Sequence, residues 1–300
     1  MKKKTYLFAL MAMALTLGSC SDNENGIGGE ASKYITVSTN IGSMTRVATD
    51  EKGGQTFEEG DKISVYAWTG DATVAPETRE RVVNNAINKL TNGSWVSTPQ
   101  MLWKNNRDKH YFIGVYPISA ISDLSAGEYT FDETKQTESD LLVAVNKDGL
   151  SYNVDEQQPV PLTFTHVMAK LVVNLTYKNQ WGGIPTVEKV VVGNAAKEAT
   201  INYLTKVVTP STTAKEDFSL PEITENSKYV SVIIPQEEVK QLTIVIGGKN
   251  FVYDNGTPFK LESGKITTVN LEVGRDEIKL GDVKITDWEN GSTFSGEALN

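Results

Sequence analysis

One thiol, two imidazoles and an arginine just past the first apolar alternation are the residues of this 300-residue chain whose type and place could do chemistry. Cys20 is the only cysteine. It closes the string Leu17-Gly18-Ser19-Cys20, after a basic start (Lys2, Lys3, Lys4) and an apolar run from Tyr6 to Leu17. As the only thiol, it has no partner for a disulfide within one chain. His110 and His166 lack the H-x-x-x-H or H-E-x-x-H spacing that zinc requires. There is no G-x-S-x-G elbow and no phosphate loop, and Gly26 to Gly29 has neither a strand before it nor a helix after it. Acidic residues are plentiful, but no pair stands out for glycoside hydrolysis. Neither Asp254-Asn255-Gly256 nor Asp22–Glu24 reproduces a calcium loop. No catalytic, cofactor or metal site is expected.

The apolar run is about 12 residues long, within the range of a signal-peptide core and well short of the roughly 18 needed to span a bilayer. With small residues at 18 and 19, residues 1–19 resemble a bacterial lipoprotein signal peptide. That resemblance implies an acylated Cys20 as the new N-terminus, with residues 20–32 as a flexible tether to the outer membrane. The same layout also fits a generic secretory signal with a cysteine near the cleavage point by chance. Each buried methylene contributes about 0.8 kcal/mol, so two or three acyl chains hold where one does not. The acidic patch of Ser21, Asp22, Asn23 and Glu24 resembles that of Bacteroidales lipoproteins that reach the cell surface. It reads equally well as an ordinary polar tether.

Hydrophobic residues make up 39% of the chain, enough for real cores, and the roughly 280 residues after the signal suit two ordinary domains or one large one. Loss of three lysines with the signal takes the formal charge from −9 to −12. An acidic surface without a basic stripe disfavours nucleic acid as a partner.

The dominant periodicity is two. Ile35, Val37 and Ile41 alternate with polar residues, as do Leu171, Val173 and Leu175, and Val269, Leu271 and Val273. Similar runs at Lys62–Trp68, Tyr111–Tyr116, Leu141–Val145, Val187–Val192, Tyr229–Ile234, Leu242–Ile246 and Lys249–Tyr253 are separated by Gly, Asn, Asp and Pro. They predict an all-β chain of antiparallel sandwiches. Val83, Ala86, Ile87 and Leu90 have helical spacing, yet Asn92-Gly93 follows at once. A hairpin, or a short helix leading into a strand, is favoured over a long helix. The division between two domains is placed near His166, giving residues 33–166 and 167–300. His166 itself is expected to pack or hydrogen-bond at a sandwich edge.

Several stretches in order resemble the fimbrillin family of Bacteroidales, the pilins of type V fimbriae. They are Met44-Thr45-Arg46, the run Phe57-Glu58-Glu59-Gly60-Asp61-Lys62-Ile63-Ser64-Val65-Tyr66, Trp103, Tyr111–Pro117, Ser139–Ala144 and Leu162–Leu171. Phe57 stands where many members carry Trp. The resemblance implies two β-sandwich domains of transthyretin-like topology in tandem. It also implies a cell-surface lipoprotein precursor, cut after an arginine by a surface protease and polymerised with other fimbrial subunits by donor-strand exchange. Here the leaving strand would be Tyr34–Ile41 and the cut would fall between Arg46 and Val47, with Lys52 offering a different protease a second site. Burial of Ile35, Val37 and Ile41 plus ladder hydrogen bonds makes the vacated groove worth roughly ten kcal/mol before ordering costs. An open apolar edge of that size invites pairing.

The C-terminal tail is the candidate donor, although Val283–Trp288 reads rather as the last strand of the second sandwich, and Thr293–Leu299 equally as a frayed end. A host or bacterial surface ligand is a further possible partner. The alternative reading is a non-polymerising, glycan-binding surface lipoprotein. Trp68, Trp95, Trp103, Trp181 and Trp288 could then offer stacking faces, with Trp181, before Gly182-Gly183, the best candidate for an exposed ring.

Overall fold

The computed structural model describes residues 33–42, 56–153, 158–254 and 258–288. Strands account for almost all of its regular structure. A single helical turn, α1 (Gln136–Ser139), and two 3-10 turns are the helical elements among the described residues.

The first sheet has seven strands in the order β1 (Val37–Ile41), β8 (Val160–His166), β7 (Leu142–Leu150), β5 (His110–Tyr116), β2 (Lys62–Thr69), β3 (Val83–Thr91) and β4 (Ser94–Thr98). The run around β2 reads as continuously apolar because both of its faces are covered. Ile63, Val65 and Ala67 point into one core, while Tyr66 and Trp68 point into another. The sheet curls back on itself: the indole N–H of Trp95 on β4 donates to Thr39 Oγ1 on β1 at 2.9 Å, although these strands are its opposite edges.

The segment with helical spacing is the hairpin β3–β4. Asn92 and Gly93 take φ of 52° and 73°, the two positive values that a tight two-residue turn needs. The spacing has a local cause. A bulge sets Val65 and Ala67 of β2 against Ala86 and Val83 of β3, three residues apart, with Asn85 at φ 55° between them. That extra residue turns an i, i+2 pattern into i, i+3.

A three-stranded sheet, β12 (Val207–Pro210), β11 (Glu198–Asn202) and β6 (Gly127–Thr130), draws strands from both sides of His166. After His166, a four-stranded sheet runs β13 (Lys215–Leu220), β10 (Val187–Ala196), β17 (Gln241–Ile246) and β18 (Lys249–Tyr253). A five-stranded sheet runs β14 (Glu222–Thr224), β15 (Lys228–Ile233), β9 (Ala169–Tyr177), β20 (Lys265–Val273) and β21 (Ile278–Asp287). A short pair, β16 (Gln236–Val239) with β19 (Phe259–Leu261), completes the set.

One feature departs from the sequence reading. The sheets are mixed rather than antiparallel, because β1 pairs parallel with β8 and β20 pairs parallel with β9. Each of these pairs joins strands far apart in sequence, so no hairpin fixes their direction. The core among the described residues falls into two clusters. One cluster, with Ile35, Val37, Val65, Phe112, Leu162 and Phe164, fills the curled face of the first sheet. The other runs from Tyr66, Ile113 and Val143 through Leu124, Phe131 and Ile201 into the four- and five-stranded sheets without a break.

Gly114, in the middle of β5, lets the first core close. A Cβ there would lie 2.6 Å from Phe164 Cζ and 3.1 Å from Leu162 Cδ1, so the bare backbone is the floor on which the Phe164 ring rests. Gly114→Ala is expected to cost about 1–3 kcal/mol by overpacking, read as a lowered urea midpoint with an unchanged slope. An unchanged midpoint would show that the ring has room to move.

Candidate functional site

The segment from Lys33 to Gly42 lies in a slot with two different walls. Its first half runs beside Met101–Trp103, with Tyr34 bridged antiparallel to Leu102, the Ile35 amide donating to Met101 O (2.9 Å) and the Trp103 amide to Lys33 O (3.1 Å). Its second half, β1, runs parallel to β8, with the Val160 amide donating to Thr36 O (2.8 Å) and the Gly42 amide to Phe164 O (2.8 Å). Side chains alternate as the sequence suggests. Ile35 (2% exposed) and Val37 (6%) are buried, Thr39 and Ile41 are half-buried, and Thr36, Ser38 and Asn40 face outward.

Beneath the segment, Val160, Leu162 and Phe164 of β8 and Met101 form the surface that Ile35 and Val37 seal. The two buried side chains contribute about 3–6 kcal/mol together, and each backbone bond about 1 kcal/mol. Ordering ten residues costs about 1–2 kcal/mol each. The two sides are of the same order, so covalent continuity with the rest of the chain does much of the holding.

Aromatic rings shape the open side of the slot. Phe57 meets Trp95, Tyr116 and Phe164 edge-on, at centroid distances of 5.3, 5.4 and 5.1 Å. An open groove of about 600 Å³ runs between β1 and the β3–β4 hairpin, lined by Thr39, Ile41, Phe57, Leu90 and Trp95. The turn that leads into β2 is tied down by Asp61, whose carboxylate accepts the Glu58 amide at 2.7 Å. Further along β2, the Tyr66 hydroxyl donates to Ser119 O (2.5 Å) and accepts the Ile121 amide (2.9 Å). The Arg81 guanidinium lies 5.3 Å above its ring and donates to Ile121 O. Burial pushes the Tyr66 phenol up, against the lowering pull of these donors.

Cys20, Arg46 and Val47 lie outside the described residues, as do Lys52 and Thr293–Leu299. Val283–Trp288 lies on and just after β21, the edge strand of the five-stranded sheet, paired to β20. That is the placement in which this segment is a last strand. Trp288 is buried and stacks on His166 at 4.0 Å, with planes 7° apart, while His166 Nδ1 donates to Asp140 Oδ1 at 2.7 Å. His166 therefore packs and hydrogen-bonds where β8 passes into β9.

Trp181 is a correction. Its ring is half-buried, its N–H donates to Val273 O at 3.0 Å, and it sits between Phe251 and the Arg275 guanidinium. Trp68 is buried, while Trp95 and Trp103 are half-buried. No tryptophan among the described residues is fully exposed. The described residues also contain no convergent group of three or more His, Cys, Asp or Glu. Sequence reasoning missed Met101 as one wall of the slot, since its pairing with residue 35 spans most of the sheet.

The model of the fimbrillin-like family matches residues 45–288, and the chain belongs to that family of Bacteroidales fimbrial proteins, which is not a family of enzymes. A Bacteroides uniformis protein named as a candidate fimbrium subunit, Fim1C, is 25% identical over 324 aligned positions, covering 99% of this chain and 100% of the relative. Among solved structures, candidate cell adhesion proteins from Bacteroides uniformis and Bacteroides ovatus superpose with TM-scores of 0.63 and 0.64. Both are 18% identical, and each alignment covers 85% of this chain and 98% of the other. At that identity the likeness concerns the fold alone.

Two expectations follow. Ile35→Ala should destabilise the chain by about 2–4 kcal/mol and raise amide exchange in β8, whereas Thr36→Ala, on the outward face, should do neither. The second concerns His110, which is fully buried. Its Nε2 accepts the Lys104 amide at 3.1 Å, and its Nδ1 lies 3.1 Å from Asp108 O. Burial pushes the imidazole down, against the upward pull of the Asp108 carbonyl. The unfolded chain therefore takes up a proton near pH 6.5 that the folded chain refuses. This contribution to stability is full above that pH and is lost as pH falls towards the lowered folded value. Urea midpoints measured from pH 7.5 to 5.5 should fall, and His110→Gln should flatten that part of the decline.

Proposed function

We propose that this protein is a structural and adhesive subunit of cell-surface fimbriae, made as a lipoprotein precursor and polymerised by donor-strand exchange. The observation that carries the reading is the seat of residues 33–42: an edge segment with a single sheet partner, β8, along its second half. It covers an apolar surface that cannot stay open in water. Family membership supports the fimbrial role, and the relative Fim1C, named as a candidate fimbrium subunit, agrees with it.

In this reading Cys20 carries the acyl chains that hold the precursor on the outer membrane, and residues 20–32 are its tether. An arginine-specific surface protease cuts between Arg46 and Val47, only a few residues beyond Gly42, whose amide still bonds Phe164 O. The cut removes the covalent link that holds a marginally bound strand. A strand from a sister subunit then takes the slot, adding main-chain hydrogen bonds to β8 and apolar side chains to the core. The chain is organised as two sandwich lobes of transthyretin-like topology, residues 33–166 and 167–300. Supporting this division, the seven-stranded sheet uses only residues before 167, and the four- and five-stranded sheets only residues after 166.

Purified mature protein treated with an arginine-specific protease should show a new N-terminus at Val47 by mass spectrometry and heat-resistant ladders on gels. Arg46→Ala should stay uncut and monomeric, and Cys20→Ser should leave the membrane fraction. A complete cut at Val47 that yields only monomers would contradict polymerisation. An N-terminus elsewhere would remove Arg46 from the account.

A further inference from the structure

The slot does more than bury grease at every inward position. The inward residues of the seated segment are Ile35, Val37, Thr39 and Ile41, and the third is polar. Its hydroxyl oxygen accepts the Trp95 indole N–H at 2.9 Å. Tryptophan Nε1 is a donor with no acceptor capacity, so it needs an oxygen or nitrogen lone pair opposite it. The ring has little freedom to seek another. Phe57 meets it edge-on and is itself held against Tyr116 and Phe164. A rigid donor half-buried in the groove penalises an aliphatic group in front of it, because the N–H would lose its fixed acceptor.

We infer that Trp95 reads the third inward position of whichever strand fills the slot, selecting a hydrogen-bond acceptor there after two large aliphatic residues. The inference rests on the strand-exchange reading, and the occupant it concerns is a strand of a sister subunit. Buried aliphatic contacts at the positions of Ile35 and Val37 supply most of the affinity and discriminate weakly among Val, Ile and Leu. The Trp95 contact discriminates by chemistry, and it does so at the end of the slot nearest the β3–β4 hairpin. Register is fixed with it: a slip of one residue exposes the aliphatic face. A slip of two places an aliphatic residue opposite the indole N–H.

The test uses the mature chain cut by an arginine-specific protease and fluorescent peptides of residues 33–42 carrying Thr39, Thr39→Ser or Thr39→Val. Entry is followed by anisotropy. On the wild-type protein the Thr39 and Thr39→Ser peptides should bind alike, and the Thr39→Val peptide roughly five- to tenfold more weakly. On the Trp95→Phe protein that preference should vanish. In the uncut chain, the Thr39→Val and Trp95→Phe changes should be non-additive in thermal stability, with Thr39→Ser close to wild type. Equal binding of all three peptides to the wild-type protein overturns the inference, and so does a preference that survives Trp95→Phe. If the uncut chain shows the coupling but no peptide enters the cut protein, the exchange reading fails. Trp95 then holds only the chain's own strand, and its role in choosing a partner is overturned.

Discussion

The first sheet depends on one strand edge that cannot be left bare. On its outer side β8 presents backbone groups that only β1 satisfies, and on its inner side Val160, Leu162 and Phe164 that Ile35 and Val37 help to seal. A sheet can satisfy such an edge with its own chain or with another, and the chemistry is the same in both cases. What distinguishes β1 from the interior strands is that it has one ladder neighbour. It can leave without breaking any pairing between the other six. The curl of the sheet, fixed in part by Trp95 reaching across to Thr39, then leaves a lined groove and not a flat face.

Much of this was legible in the sequence wherever alternation ran long enough to show which face is buried. β5, β9 and β20 read as strands because apolar residues recur at alternate positions (Tyr111, Ile113 and Val115; Leu171, Val173, Leu175 and Tyr177; Val269, Leu271 and Val273), and β2 because its short run is apolar on both faces. The Asn92-Gly93 turn named its hairpin by backbone chemistry alone. The strands that escaped notice are short or mostly polar. β13 exposes Lys215, Glu216 and Asp217, and β6 holds Gly127 and Glu128, so neither offers a periodic apolar signal. Direction was not legible either. Nothing local to Val37–Ile41 says that its partner lies more than a hundred residues on and runs parallel to it.

The same limit explains the site residues. A hydrogen bond between Thr39 and Trp95, 56 residues apart, has no trace in local pattern. Trp181 misled in the opposite sense. Gly182, at φ 67°, does end a short turn after it, but the ring is covered by Phe251 and Arg275, which arrive from distant loops and strands. His166 was placed correctly as a packing residue. Its partner Trp288, at the end of the described chain, ties the last strand to the passage between β8 and β9, with the Lys170 ammonium 5.1 Å over the same indole. The first and last strands among the described residues, β1 and β21, are thus both sheet edges, but they are held differently. β21 has eight antiparallel pairs interrupted by one bulge, an ion pair between Lys265 and Asp287, and a buried indole after it, whereas β1 has five pairs and one buried side chain, Val37, with Ile35 buried just before it.

That difference is measurable residue by residue. Hydrogen exchange of the β8 amides, Val160 foremost because it donates to Thr36 O, should be followed before and after cleavage by an arginine-specific protease. The account expects protection along β8 to fall once the freed segment departs and to return as polymers form, with β20 and β21 unchanged throughout. Protection of β8 that persists in cleaved monomers, with residues 33–42 still seated, would contradict it.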